Sequence, residues 1–239
     1  MIWHIGCSGF YYRHWKEVFY PVGVPQRKWF DFYCQHFNTV ELNGTFYKSP
    51  TVTGLKKWYD DSPQGFTFAV KAPRLITHYR QFNNTADLIN EFYDTITNGL
   101  QHKLGTVLFQ MPPRFAYTEE RLHKLLNSLQ PPFNNVIELR HSSWWQQPVY
   151  DQLSRHNITF CGMSHPTLPD TVIQNTDVLY YRFHGVEQLY ASLYTTQELI
   201  TFAEQVKSTS AQQAYIYFNN DIGASAIRNA KELIEIVGL

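Results

Sequence analysis

The sequence predicts a single (β/α)8 TIM-type barrel spanning residues 1–239, and three observations carry that expectation. Short segments rich in β-branched, aromatic and aliphatic residues recur along the whole chain, bounded by Gly, Pro, Asn or Asp. Stretches with helical spacing lie between most of them, which suits a fold whose typical length is ~250 residues. The rival, an open doubly wound sheet, normally carries a glycine-rich phosphate loop after its first strand. Here "GCSGFYYRHW" fits neither GxGxxG nor GxxxxGK(S/T).

The predicted strands, in order, are "IWHIGCSG" from residue 2, "TVELNGTFY" from 39, "FTFAVKAP" from 66, "GTVLFQMPP" from 105, "NVIELRHSSW" from 135, "ITFCGMSH" from 158, "VLYYRFHG" from 178 and "QAYIYFNND" from 213. Helical spacing marks residues 27–37, 85–100, 119–129, 196–208 and about 224–237. Thr85 with Asp87, and Thr196 with Glu198, supply cap and first-turn signals for two of these helices. One connection breaks the rhythm: "PTLPDTVIQNTD", with two prolines, predicts a loop between strands six and seven. No composition break or repeat divides the chain.

Lys plus Arg equals Asp plus Glu at 20 each, so no global field draws the chain onto nucleic acid or an anionic membrane. Three cysteines, Cys7, Cys34 and Cys161, form no CxxC pair and leave one over, which supports neither a disulfide framework nor structural zinc. The N-terminal "MIWHIGCSG" lacks a basic region followed by an apolar one, and no apolar run approaches the ~18 residues of a membrane span. A cytoplasmic location is expected.

The segments "IGCSGFYYRHWKEVFYP", "FNTVELNGTFY", "FTFAVKAPRLITH", "LFQMPPRF", "IELRHSSWW", "YYRFHG" and "YIYFNNDIGASAIRNA", in this order, make the chain resemble the YecE-like family, domain of unknown function family 72. That resemblance implies a TIM-type barrel with a pocket at the carboxyl ends of its strands, and no particular reaction. The chain departs from the family pattern at Cys7 and in the region from Ser164 to Asp177, which receives no role here.

Strand parity locates the candidate site. A barrel strand sends alternate side chains outward to the helices and inward to the lumen, so the apolar set marks the outer face. Outward sets are Ile137 with Leu139, Leu179 with Tyr181 and Phe183, Ala214 with Ile216 and Phe218, Val40 with Leu42, Phe66 with Phe68 and Val70, and Val107 with Phe109 and Met111. The inward set then holds Ser8, Glu41, Asn43, Lys71, Gln110, Glu138, Arg140, Arg182, His184, Tyr217, Asn219 and, less directly, Asp221. Strand six is ambiguous. Most of the inward polar residues lie toward the carboxyl ends of their strands, where this fold places catalytic and binding groups.

Three inward cations favour an anionic ligand and disfavour a divalent metal, because ammonium and guanidinium groups compete for the same carboxylates. The expected function is an enzyme, without a cofactor or resident metal, acting on a small phosphate- or carboxylate-bearing substrate. In that reading Arg140, Arg182 and Lys71 bind the anion or stabilise developing charge. Glu41 or Glu138 serves as general acid or base with His184 as partner, and Ser8, Asn43, Gln110, Tyr217 and Asn219 orient the substrate.

A structural alternative has the same charges neutralising one another as an internal network. Two carboxylates also invite a glycoside hydrolase, which needs them at a set separation. A third reading, a nucleic-acid-binding protein or metal-dependent phosphodiesterase, draws on "KAPRLITHYR", with Lys71, Arg74, His78, Tyr79 and Arg80 after strand three. Cys7 and Ser8 as nucleophiles lack an identifiable base. His4, His14, His36, His102, His123 and His156 are read as surface or packing residues.

Overall fold

Alternation of inward and outward side chains forces the chain to enclose two apolar regions, and both are present in a computed structural model that describes residues 1–239. The strands are β1 (Ile2–Cys7), β2 (Thr39–Leu42), β3 (Thr67–Lys71), β4 (Leu104–Gln110), β5 (Asn135–Glu138), β6 (Ile158–Ser164), β7 (Val178–Phe183) and β8 (Gln213–Phe218). All pair in parallel, in the order β1-β8-β7-β6-β5-β4-β3-β2. Every outward residue named above lies in one large core between sheet and helices. A separate inner core holds Ala69, Leu108, Val136, Cys161, Val178, Tyr180, Tyr215 and Tyr217. Cys161 resolves the ambiguous parity of β6, since it points into the lumen while Phe160 joins the outer core.

The α-helices are α1 (Trp29–Tyr33), α2 (Gly44–Tyr47), α3 (Val52–Asp61), α4 (Ala86–Leu100), α5 (Glu119–Ser128), α6 (Gln147–Arg155), α7 (Thr196–Lys207) and α8 (Ser225–Val237). Residues 165–177 between β6 and β7 contain no helix, as the prolines require. The cap of α7 sits one residue earlier than expected. Thr195 accepts from the Glu198 backbone N–H while the Glu198 carboxylate accepts from the Thr195 N–H at 2.7 Å, a complete capping box with glutamate at its third position. Thr85 caps α4 through its backbone position alone. No helix is long and apolar enough to cross a membrane.

Closure between β1 and β2 depends on side chains. Backbone pairing there is limited to a bridge between Ser8 and Glu41. Below it, the Asn38 amide accepts from the Ile5 N–H at 3.2 Å and donates to the Trp3 carbonyl at 2.9 Å. The Tyr33 hydroxyl accepts from the Cys7 N–H at 2.8 Å and donates to the Thr39 carbonyl at 3.0 Å. These two side chains stand in for ladder bonds that buried backbone groups would otherwise lack. Gly6 permits the approach, because a Cβ there would lie 2.2 Å from the Thr39 carbonyl oxygen and 2.8 Å from the Tyr33 hydroxyl.

Candidate functional site

At the carboxyl end of the lumen the inward charges meet. Arg182 donates from Nη2 to Glu41 Oε1 at 2.6 Å and from Nη1 to Glu138 Oε2 at 2.5 Å. The other oxygen of Glu138 accepts from Arg140 Nε at 2.5 Å, and the other oxygen of Glu41 accepts from the Tyr180 hydroxyl at 2.5 Å. The result is a chain of alternating charge, Glu41–Arg182–Glu138–Arg140. Both carboxylates and Arg182 are inaccessible to solvent, and the Arg140 side chain is 10% exposed. Burial pushes the Glu138 carboxyl up, but Arg140 and Arg182 outweigh it and hold it well below the usual carboxylate range.

This geometry changes the part expected of Arg182. Both of its Nη atoms are taken by carboxylates and its Nε has no acceptor, so it is a strut between β2 and β5 and offers no free fork to a ligand. Tyr217 is likewise deeper than a substrate contact. Its hydroxyl lies 2.6 Å from Thr39 Oγ1 at the start of β2, within the inner core. Ser8 is buried, with Oγ 3.4 Å from Arg182 Nη2. Asp221 stands apart from the network, beside His14 at 3.5 Å.

His184 is buried at the end of β7, with Nε2 3.3 Å from Arg140 Nη2 and 3.6 Å from Glu138 Oε1, while Nδ1 meets the Asn219 amide at 3.0 Å. Burial first, and the Arg182 charge second, lower its pKa to about 3, so it is a neutral imidazole at physiological pH. A guanidinium can only donate, so Nε2 presents its lone pair to Arg140.

Lys71 differs from every other charge in the lumen. It is 8% exposed, donates to Gln110 Oε1 at 2.5 Å, and lies 4.3 Å from the centre of the Phe46 ring on α2. It forms no ion pair. Burial, then the Arg182 charge, lower its pKa to about 7, with Glu138 and Glu41 opposing them from a distance.

Residues that parity alone could not place complete the rim. A turn of π-helix, Leu75–Tyr79, follows β3 and carries His78 to the edge of Phe46, with ring centres 4.9 Å apart. Burial and the Lys71 charge lower the His78 pKa to about 4. His165, from the region assigned no role, stands edge-on to His184 at 6.1 Å, and Tyr190 places its hydroxyl 3.5 Å from Arg140 Nη1. His4, read above as a packing residue, does pack, but inside the lumen, stacked on Tyr215 at 4.2 Å. No three His, Cys, Asp or Glu side chains gather as a metal-binding cluster.

The family profile described as "Protein of unknown function DUF72" matches residues 4–239. The chain belongs to the DUF72 family. Among curated relatives of this DUF72 chain, the UPF0759 protein YunF of Bacillus subtilis is 26% identical, over 99% of this chain and 95% of YunF. The UPF0759 protein YecE of Escherichia coli is 30% identical over 62% of this chain and 58% of YecE. A DUF72 family protein of Thermotoga maritima, known from its crystal structure, superposes over all of both chains with a TM-score of 0.91 at 28% identity. A DUF72 family protein from Enterococcus faecalis shares the fold at 20% identity and a TM-score of 0.86. These relationships establish the family and the barrel.

Proposed function

We propose that the protein is an enzyme acting on a small phosphate- or carboxylate-bearing substrate, with Lys71 as the proton-transferring group and Arg140 as the anion contact. The observation that carries this reading is Lys71 itself, a buried amine with no carboxylate partner, held by one amide oxygen and one aromatic face. A purely structural lysine in a barrel gains its place through ion pairs or several carbonyls. Lys103 shows that arrangement, donating to two carbonyls and one hydroxyl around Ser62. With a pKa of about 7, Lys71 exists as both ammonium and amine near neutrality, which suits general acid–base work.

Around it, the Glu41–Arg182–Glu138 chain is the rigid charged floor, and it fixes Arg140 through Nε, while Nη2 meets His184 Nε2 at 3.3 Å and Nη1 lies 3.5 Å from the Tyr190 hydroxyl. Gln110 orients Lys71. His184 and Asn219 hold the other flank, and Asn43 lies at the end of β2. The carboxylates are committed to guanidinium groups, which supports a reaction carried by nitrogen donors in preference to a carboxylate-bound metal.

Sulfate and oxalate test this reading, since both keep full charge from pH 6 to 9. Binding, measured calorimetrically, is expected to weaken as pH rises through 7 and Lys71 loses its proton. Lys71→Met should remove that pH dependence, and Arg140→Met should weaken binding at every pH. Affinity that is flat with pH in the unaltered protein, or unchanged in Arg140→Met, would overturn it.

A second reading rests on a different observation. Arg74 lies 5.7 Å from the Tyr47 ring centre and 5.3 Å from that of Tyr79, both rings largely exposed beside the rim. An Arg flanked by exposed aromatics is a stacking surface for single-stranded nucleic acid. Oligonucleotide affinity falling steeply with salt would support it, and failure to bind at low salt would dismiss it.

A further inference from the structure

Lys71 ends β3, and the chain after β2 folds back over it. Thr45 Oγ1 donates to the Leu42 carbonyl at 2.7 Å and to the Lys71 carbonyl at 2.6 Å, which pins α2 across the ends of both strands and holds Phe46 against the Lys71 amine. The half-buried His78 meets the same ring edge-on. Gln110 Oε1 is the only hydrogen-bond partner of Lys71 Nζ, so the rest of that nitrogen is unbonded. Lys103, the other buried lysine, has all three donors taken by oxygens.

Neighbouring strands bring an anion contact to the same place. β3, β4 and β5 are adjacent in the sheet, so Lys71 and Arg140 flank Gln110. A guanidinium carries five N–H donors, and Arg140 directs three of them to Glu138, Tyr190 and His184, which leaves two for a ligand. No carboxylate lies against Lys71 to keep it protonated. Burial and the Arg182 charge populate its free amine near neutrality. A desolvated amine close to other cations is an activated nucleophile, and its natural target here is a carbonyl carbon whose substituent is an anion.

We propose that Lys71 forms a covalent imine with a small aldehyde or ketone bearing a carboxylate or phosphate, the anion being held by Arg140. Resting on the anion site proposed above, this assignment adds a covalent step to the proton transfer given to Lys71. The Nζ lone pair bonds to the carbonyl carbon while the π pair moves to oxygen, which takes a proton that the nitrogen loses. That hydroxyl then leaves as water with a proton from solvent, equal to the one Lys71 released on becoming an amine, as the nitrogen lone pair closes the C=N bond. Ammonium and carbonyl become iminium and water, with no net change in protons or oxidation state.

Cyanoborohydride reduces iminium ions and makes the bond permanent. The protein is incubated with it near neutral pH and, separately, with pyruvate, dihydroxyacetone phosphate or uncharged acetaldehyde, and adducts are located by peptide mass spectrometry. A single adduct at Lys71 is expected with pyruvate or dihydroxyacetone phosphate, and the faster of the two tells a carboxylate site from a phosphate site. Lys71→Met should remove it, with thermal unfolding as the check on folding. Arg140→Met should lower the preference for the anionic carbonyl over acetaldehyde about 10- to 100-fold, the effect of losing one charge-assisted bond. Being a ratio, that preference cancels any change in the reactivity of the amine. The imine is overturned if neither anionic carbonyl adds, if adducts spread over the exposed lysines without favouring Lys71, or if Arg140→Met leaves the preference unmoved. Should sulfate and oxalate still bind with the pH dependence described above, only the imine falls; a flat titration removes the anion site itself.

Discussion

Replacing Glu138 by Gln changes almost no volume and removes one negative charge from a site with no solvent access, so the electrostatic consequence is isolated from any cavity. Glu138 accepts two guanidinium bonds, both 2.5 Å, from Arg140 and Arg182. With the charge gone, Glu41 alone must offset Arg182, and Arg140 loses its only carboxylate. Breaking a buried pair by removing one partner costs about 3–5 kcal/mol. Against a total stability of roughly 5–15 kcal/mol that is a large fraction. For a chain of this size it lowers Tm by about 6–20 °C, at 2–4 °C per kcal/mol. Urea unfolding of Glu138→Gln, Arg182→Met and the double variant measures the coupling. The double variant should be less destabilised than the sum of the singles, because the second change removes the charge the first left unpaired. A loss below about 1 kcal/mol in Glu138→Gln, or strict additivity, would refute the network's role, since an exposed or weakly coupled pair behaves that way.

Two further outcomes follow from the lumen and the seam. Lys71 has a folded-state pKa of about 7 against about 10.4 unfolded, so below pH 7 both states carry the proton and the full cost of burying the charge is present. Between these values only the unfolded state keeps the proton, and stability should rise by up to about 1.4 kcal/mol per pH unit. Lys71→Met should therefore be more stable than the unaltered protein near pH 6, with the gap closing by pH 9; a gap constant with pH refutes the assignment. Gly6→Ala should cost about 3 kcal/mol or more in chemical unfolding, because its Cβ must displace either the Thr39 carbonyl or the Tyr33 hydroxyl from the β1–β2 seam. Full stability in that variant would show the two strands free to separate.

Parity made much of this arrangement legible, because a side-chain period of two is a property of the strand itself. Ile137 and Leu139 turned outward, and that alone sent Glu138 and Arg140 into the lumen together. Parity could not say which charges would neutralise one another. The pairing of Arg182 with both glutamates depends on the relative stagger of β2, β5 and β7, which no single strand encodes. Lys71 therefore looked equivalent to Arg140 and Arg182, although only Lys71 lacks a carboxylate partner. His78 was legible only as a member of the basic and aromatic segment after strand three, and His165 and Tyr190 carried no signal, since all three lie past the strand ends where turns set direction.

The seam between β1 and β2 has a kinetic meaning of its own. The amides of Ile5 and Cys7 are shielded by the side chains of Asn38 and Tyr33, whereas their neighbours across β8 are shielded by a continuous backbone ladder. Asn38 is exposed, whereas Tyr33 is fully buried among Phe10, Phe19 and Phe37, so the Cys7 amide is bared only when the local core around Tyr33 opens. Deuterium uptake at these two amides thus reports a breathing of the wall along one vertical line, and it makes a circular sheet behave locally like one with two ends.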